Sequence, residues 1–162
     1  MTERDLFSVA MRGGELSADQ AAALEERVRL VPDDLEARAQ LAVYGSIHGK
    51  PGTAARARYV AQAVWIVTTA PRSEMPASGF IRLDSGMDGE ALELCRRAWD
   101  QHLASAPDDL DLLESCARFF RNAGDYERAI NLLERGLQSE PTEPRWHKQL
   151  GSLYQLKMRN GA

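Results

Sequence analysis

Apolar side chains recur every three or four positions along much of the C-terminal half of the chain. One stripe consists of Leu113, Cys116, Ala117 and Phe120, and a second consists of Ala129, Leu133 and Gly136. This spacing places each set on one face of an α-helix. Gly124 between the stripes suits the positive φ that often ends a helix, and Asp125 can cap the helix that follows. The pattern therefore predicts a hairpin of two amphipathic helices.

The N-terminal half shows a weaker helical pattern. Its apolar spacing, helix-start residues and turns predict helices near residues 3–12, 18–31, 34–48 and 53–70. Ser17 and Gln20 have the spacing of a capping box, and the segment GKPG at Gly49–Gly52 reads as a turn. Gly45 stands where the C-terminal pattern would place a residue as large as Phe120, and we expect the adjacent Tyr44 to fill that space.

The sequence contains internal repeats. The tetrapeptide PDDL occurs at Pro32–Leu35 and again at Pro107–Leu110, and Pro141 follows Pro107 by 34 residues. The same offset relates three upstream residues to three downstream ones, namely Cys95, Trp99 and Pro107 to Ala129, Leu133 and Pro141. A period of this length is typical of stacked helix-turn-helix units. His102 falls where Gly136 recurs, so a bulky ring there predicts looser stacking at that point.

From Leu110 to Pro141 the chain resembles the tetratricopeptide repeat family, through Leu113, Ala117, Phe120, the segment AGDYERA, Leu133 and Pro141. Trp146, Leu150, Gly151 and Tyr154 extend the resemblance to about Met158. It implies an all-α fold, a right-handed α-α superhelix with a concave surface lined by the first helix of each unit. The long helix near residues 53–70 is also similar to bacterial repeat proteins, which implies no activity.

Residues 71–89 lack a helical period and contain two prolines and three glycines. They predict a long central loop that replaces the first helix of one unit. We expect its apolar cluster, Phe80, Ile81 and Leu83, to cover a helix face, and a binding lid is the alternative. The expected organisation is one domain over residues 1–162, with divergent hairpins at 3–70, the loop at 71–89 and repeat units at 90–158.

Composition narrows the possible partners and the compartment. The 162 residues include 44% hydrophobic side chains and have a net charge of −4, which disfavours general binding to nucleic acid or to an anionic membrane. The apolar run Val60–Val67 is too short to cross a bilayer, and no signal peptide is recognisable. Cys95 and Cys116 lie on apolar stripes and are expected to be buried, reduced thiols, which fits the cytoplasm.

The sequence offers little for catalysis. The three histidines are far apart, no CxxC pair or HExxH frame occurs, and Pro51 interrupts the loop that superficially resembles a phosphate-binding motif. We therefore expect no metal, no cofactor and no enzyme activity. The alternative is an enzyme, or a subunit of one, whose site near the central loop would use the only plausible polar residues there: Arg72, Glu74, Arg82, Asp84 and His102.

The resemblance implies that the concave groove binds a peptide or protein segment. The matching positions are Arg118, Arg121 and Asn122 on one helix and Arg145 and Lys148 on the next. Their cations would suit a partner with carboxylates, although Asp111 and Glu114 weaken the positive charge. The alternative is that these residues form an ordinary solvated face.

We thus expect a non-catalytic adaptor or scaffold. A chaperone for one client protein and a non-catalytic subunit of an enzyme complex are the alternatives. A homodimer through an exposed C-terminal end containing Trp146, Tyr154 and Leu156 is a further possibility.

Overall fold

The computed structural model describes residues 3–161, and their side chains from residue 6 onward. Within that part of the chain there are eight α-helices and no strand, which confirms the all-helical prediction. In chain order they are α1 (Glu3–Met11), α2 (Ala18–Leu30), α3 (Leu35–His48), α4 (Ala54–Thr69), α5 (Gly89–Ser105), α6 (Leu110–Asn122), α7 (Tyr126–Ser139) and α8 (Pro144–Arg159), with a 3-10 turn at Arg12–Glu15 between α1 and α2. The fold is a helical repeat solenoid, and its treatment as one domain stays a prediction.

Side-chain caps fix where most of the helices begin. An oxygen of each capping side chain accepts a hydrogen bond from the backbone N–H three residues later, and the caps are Ser17, Asp34, Thr53, Asp109 and Asp125. The predicted capping box of α2 is confirmed, because Gln20 Oε1 also accepts from the Ser17 N–H at 2.9 Å. Gly124 has a φ of 82°, so the turn between α6 and α7 needs its glycine. Short-range sequence signals therefore specify these boundaries.

Close packing of α7 against α8 depends on a single glycine. A Cβ atom built on Gly136 of α7 would lie 2.5 Å from Cε3 and Cζ3 of Trp146 in α8, nearer than any side chain tolerates. Trp146 is itself fully buried against this backbone. Ala117 of α6 and Ala129 of α7 are also buried, so the interlocking of small and large side chains that the sequence predicts is present.

In the N-terminal half, α3 is buried on two sides. Ala39, Ala42 and Val43 belong to the main core, which extends from Leu6 in α1 to Leu153 in α8. Ala37 and Leu41, on another face of α3, form a second cluster with Ala21 and Val28 of α2. A helix enclosed in this way has no single apolar stripe, which explains its weak amphipathic pattern.

The expectation that Tyr44 replaces the large repeat residue is wrong. Tyr44 packs against the α2 cluster and the ring of His48, with a centroid distance of 4.4 Å. The space over Gly45 is filled by Tyr59 from α4, whose Cβ would lie 2.7 Å from a Cβ at position 45. The missing bulk thus comes from the opposing helix, because Gly45 lets α4 approach closely.

The central loop, residues 70–88, contributes to the core. Met75, Ile81 and Leu83 are buried, which confirms the expected covering role of Ile81 and Leu83, while Phe80 is half-buried. The Tyr59 hydroxyl accepts from the Arg82 N–H at 2.8 Å and donates to the Phe80 carbonyl at 2.7 Å. Arg56 of α4 also forms a buried ion pair with Asp88. These contacts fix the second part of the loop against α4.

The looser stacking predicted at His102 is present, because α5 packs against α6 much less closely than α7 packs against α8 at the equivalent interface. The His102 ring is half-buried, with Nε2 3.0 Å from the Val67 carbonyl oxygen of α4 and an edge-on contact to Trp99. The ring therefore occupies the seam between α4 and α5, with a polar partner for its buried nitrogen.

Candidate functional site

An open groove of about 950 Å³ follows the exposed face of α6. We call it the α6 groove, and define it by Phe7 and Ser8 of α1, residues 72–78 of the central loop, and residues 109–118 of α6. The first helix of a repeat unit, α6, supplies one wall, as the resemblance implies. The other wall comes from the loop and from α1, which the sequence did not place there.

Two contacts hold the loop wall along α6. Arg72 forms an ion pair with Asp109, the residue that caps the start of α6. At the other end of α6, Asn122 Nδ2 donates to the Ser78 carbonyl at 3.0 Å. The loop between these points therefore runs beside the helix from its beginning to its end, a distance of about 20 Å for thirteen residues. The side chains of Arg72 and Asn122 thus hold the loop in place and already have partners within the protein.

A polar network connects α6 to α8 at the edge of the groove. The guanidinium of Arg145 donates to Asp111 at 2.8 Å, to Glu114 at 3.2 Å and to Glu140 at 3.0 Å. The Asp111 carboxylate, followed by Glu140, holds the pKa of Arg145 well above its ordinary value. Gln149 Nε2 also donates to Glu114, at 2.6 Å. One cation is thus shared by three carboxylates.

The five residues predicted for peptide binding do not all line the α6 groove, and their binding role stays a prediction. Both Nη atoms of Arg145 are held in its three ion pairs and Asn122 holds the loop, so these two side chains already have partners within the protein. Lys148 is exposed on α8. Of the five, Arg118 is the one that lines the groove, where its side chain is 46% exposed and lies 3.9 Å from Glu114.

Arg121 lies one helical turn beyond Arg118 and is half-buried. Burial, and then repulsion from Arg118, lower the pKa of Arg121.

The expectation of a locally basic groove is wrong, because carboxylates outnumber guanidinium groups in its lining. Among the side chains that the structure describes, four carboxylates line the groove against the two guanidinium groups of Arg72 and Arg118: Glu74, Asp109, Asp111 and Glu114. The sequence analysis named Glu74 for an alternative enzyme site but not for this groove, since no local periodicity places a loop residue opposite a helix.

The comparison with protein families decides what kind of repeat this is. Residues 83–153, from the end of the central loop to α8, match the family described as Tetratricopeptide repeat. This segment is built of tetratricopeptide repeats. The α6 wall of the groove lies inside the repeat segment, whereas α1 and residues 72–78 lie outside it.

The chain also has curated relatives. The chain is 32% identical over 78 residues to human Interferon-induced protein with tetratricopeptide repeats 2, and 31% identical to its counterpart from Cricetulus griseus. It is 28% identical over 90 residues to the human Antiviral innate immune response effector IFIT1. These matches cover 48%, 48% and 51% of this chain but 16%, 16% and 18% of the relatives. No solved structure matches the chain. The similarity to bacterial repeat proteins stays a prediction.

Three of the five side chains considered for an enzyme site have separate structural roles. Arg72 pairs with Asp109, the Asp84 carboxylate accepts the backbone N–H groups of Gly86 and Met87, and His102 contacts Val67. Across residues 3–161, no group of three or more His, Cys, Asp or Glu side chains is arranged to hold a metal ion. In the same range, no helix is both long enough and apolar enough to cross a membrane.

Two further expectations concern buried residues. Cys95 and Cys116 are confirmed as buried free thiols, and burial raises the pKa of each to about 12. The expected exposure of Trp146 at the C-terminal end is wrong, because its side chain is 0% exposed and its Nε1 donates to Glu140 at 3.0 Å. Trp146 therefore cannot form part of a dimer surface. Tyr154, 45% exposed, stays accessible there.

Proposed function

We propose that this chain is an adaptor that binds a segment of another protein in the α6 groove. Tetratricopeptide repeats generally mediate protein–protein interactions, and the repeat segment supplies the helical wall of this groove. The supporting observation is the groove itself, an open volume of about 950 Å³ along the first helix of a repeat unit. That volume is at the upper end of the range of about 300–1,000 Å³ typical of ligand pockets, so several side chains of a peptide fit.

The walls of the groove favour binding without a large rearrangement. The Arg72–Asp109 pair and the Asn122–Ser78 hydrogen bond hold the loop at both ends of α6. Because these contacts exist before any partner arrives, the cost of ordering the loop does not reduce the binding affinity. Of the five residues that the sequence predicts for peptide binding, Arg118 is the one that we propose to contact the partner. Arg121 and Lys148 lie outside the groove lining.

We propose a binding role without catalysis, located in the cytoplasm and without a cofactor. The two buried free thiols fit a reducing compartment. A chaperone and a non-catalytic subunit of an enzyme complex would use the same groove and differ in the partner it holds. The nature of the captured partner, an unfolded client or a folded enzyme, distinguishes these alternatives from a scaffold.

The experiment fills the groove with a bulky side chain and compares the partner proteins that the variant and the wild type retain. Ser115 lines the α6 groove from the middle of α6, and Ser115→Trp places an indole ring in it. Gln138→Trp, on the exposed outer side of α7, is the matched control. Tagged wild-type and variant proteins are used to capture partners from lysate of the native source, with quantification by mass spectrometry.

We expect Ser115→Trp to reduce retention of the partner by about tenfold or more, a loss of about 1.4 kcal/mol in binding. Gln138→Trp should retain it as the wild type does. Circular dichroism and thermal unfolding should show that both variants are folded. Equal retention by Ser115→Trp and the wild type would refute the groove as the binding site.

A further inference from the structure

We infer that the partner segment presents a Lys or Arg side chain next to an apolar side chain, and that Glu74 and Asp111 receive the cation. This inference rests on the proposed function, since it specifies the chemistry of the segment that occupies the α6 groove. It replaces the carboxylate-bearing partner that the sequence alone suggested.

Among the side chains described from residue 6 onward, the ion pairs around the groove leave an excess of negative charge. Arg72 and Asp109 neutralise each other at the start of α6. At the α8 edge, Arg145 is shared by Asp111, Glu114 and Glu140, and Arg118 lies near only one of them, Glu114 at 3.9 Å. Three carboxylates thus face two guanidinium groups before Glu74 is considered.

Glu74 adds to this excess from the opposite wall. It lies on the loop two residues after Arg72 and is half-buried in the groove lining. Among the residues that the structure describes, no Lys, Arg or His nitrogen lies within the 4.0 Å of an ion pair with Glu74. Partial burial strengthens its attraction for a cation relative to a fully solvated carboxylate. A cationic side chain that enters between the loop and α6 would therefore find an unneutralised acceptor.

Asp111 is the accessible carboxylate of the α8 edge. Its side chain is 88% exposed, although one oxygen already accepts from Arg145. An exposed ion pair of this kind contributes little to stability, so a second cation can share the carboxylate at little cost. Asp111 and Glu74 thus provide acceptors on the two walls of the same groove.

The apolar part of the lining lies beside these carboxylates. Phe7 of α1 is 41% exposed, with its ring centroid 6.2 Å from that of Phe80. Ala77 and Leu112 complete the apolar lining from the loop and from α6. An aromatic ring left half in solvent at the rim of a groove gains by contact with a partner's apolar side chain. The lining is therefore complementary to an apolar residue flanked by a basic one.

A random dodecapeptide library displayed on phage tests the inference without knowledge of the natural partner. Phage are selected for binding to the wild-type chain, and phage that also bind the Ser115→Trp variant are removed. We expect the surviving peptides to share a Leu, Ile, Phe or Trp next to a Lys or Arg. A synthetic peptide from the most enriched clone is then titrated against purified variants by fluorescence anisotropy.

Glu74→Gln should lower the affinity for this peptide about fivefold, and the double variant Glu74→Gln with Asp111→Asn should lower it about tenfold or more. Because the lost attraction is electrostatic, both losses of affinity should shrink as the salt concentration is raised. The control pair, Asp19→Asn with Glu90→Gln, removes the same charge from exposed positions on α2 and α5 and should change affinity less than twofold. Circular dichroism confirms that each variant is folded, and Glu74→Gln alone keeps the test valid if the double variant is not.

The outcomes separate the two proposals. Enriched peptides that are acidic, or basic peptides indifferent to Glu74→Gln, overturn the inferred partner chemistry and leave the groove as a binding site. A selection that yields no peptide sensitive to Ser115→Trp overturns the groove itself, and the inference with it.

Discussion

The two halves of the molecule bring helices together by the same device but complete their packing differently. In the repeat segment, Gly136 admits the ring of Trp146 from the next helix. In the N-terminal half, Gly45 admits Tyr59, and Gly13 touches the backbone of Gln40, where a Cβ would lie 2.1 Å from the carbonyl oxygen. Glycine thus permits close approach in both halves, while the residue that fills the space differs.

The difference shows why one half resembles a repeat family and the other does not. Helices α6 and α7 each bury one face, so their apolar stripes are clear and recur at the repeat period. Helix α3 contacts the α2 cluster on one side and the main core on another. Its apolar positions are therefore spread around the helix. A helix enclosed on two sides loses the periodic signature although its packing is as close.

Removal of a fully buried indole ring of the repeat segment should have the largest effect. Trp146→Ala removes a fully buried side chain between α7 and α8, and we expect unfolding to become easier by about 3–5 kcal/mol. Trp65→Ala in α4 removes a half-buried ring beneath Arg38 and should cost less, about 1–2 kcal/mol. Urea denaturation followed by circular dichroism measures both. Equal losses would contradict the greater role of the aromatic ring in the repeat segment.

Addition of a single methyl group tests the glycine device in both halves. Gly136→Ala and Gly45→Ala would place Cβ atoms 2.5 Å from the Trp146 ring and 2.7 Å from Tyr59 Cβ, so we expect each to destabilise the fold by about 2–3 kcal/mol. Gly151→Ala is the matched control within α8, where a Cβ would meet no atom within 4 Å. It should raise stability by about 0.5–1 kcal/mol, because alanine restricts the unfolded chain. Thermal unfolding of the three variants gives the comparison, which fails if Gly45→Ala is neutral.

Alkaline pH should weaken the C-terminal half, where both cysteines lie. Burial raises the pKa of Cys95 and Cys116 from an ordinary 9.0 to about 12. Below pH 9 the thiols are protonated in both states; above it, the unfolded chain loses protons that the folded chain keeps. Stability therefore falls as pH rises from 9 towards 12, by about 2 kcal/mol at pH 10 for the two thiols together.

Urea midpoints at pH 8 and pH 10 measure this loss. The variant Cys95→Ala with Cys116→Ala keeps all other titrating groups and should lose less stability between the two pH values. An unchanged slope in that variant would show that other groups cause the alkaline loss.

The smallest expected effect concerns the loop that joins the two halves. Asn122→Ala removes the hydrogen bond to the Ser78 carbonyl and should reduce global stability by about 1 kcal/mol or less. Hydrogen exchange is the sharper measurement, because amide protection should fall in residues 72–78 while that of α7 stays unchanged. Asn160→Ala, which removes an exposed bond to Tyr126 at the C-terminal end, is the control and should leave the loop unaffected.

Local chemistry made much of this fold predictable. The helix starts at Ser17 and Asp125 follow from side chains that cap the backbone within three residues, and the turn at Gly124 follows from its positive φ. The repeat period revealed the stacking of α7 on α8 because it repeats the same small and large residues. The covering role of Ile81 and Leu83 followed from apolar side chains in an otherwise polar loop.

The groove was less predictable, because its chemistry depends on residues far apart in the chain. From the sequence, Arg145 is a candidate ligand contact, but in the structure its guanidinium donates to Asp111, 34 residues earlier, at 2.8 Å. Asn122 looked like a ligand contact, but the loop 44 residues before it accepts its hydrogen bond. Neither pairing leaves a local pattern in the sequence.

The sequence by itself determined the helices, their caps and the tetratricopeptide character of the C-terminal half, because these depend on spacings of three, four and 34 residues. Only the tertiary structure decided which charges remain accessible. The repeat period of 34 residues separates Arg145 from Asp111, but it does not fix how one guanidinium is shared among Asp111, Glu114 and Glu140. The balance between Arg118 and the carboxylates of the α6 groove therefore exists only once α1, the loop, α6 and α8 are assembled.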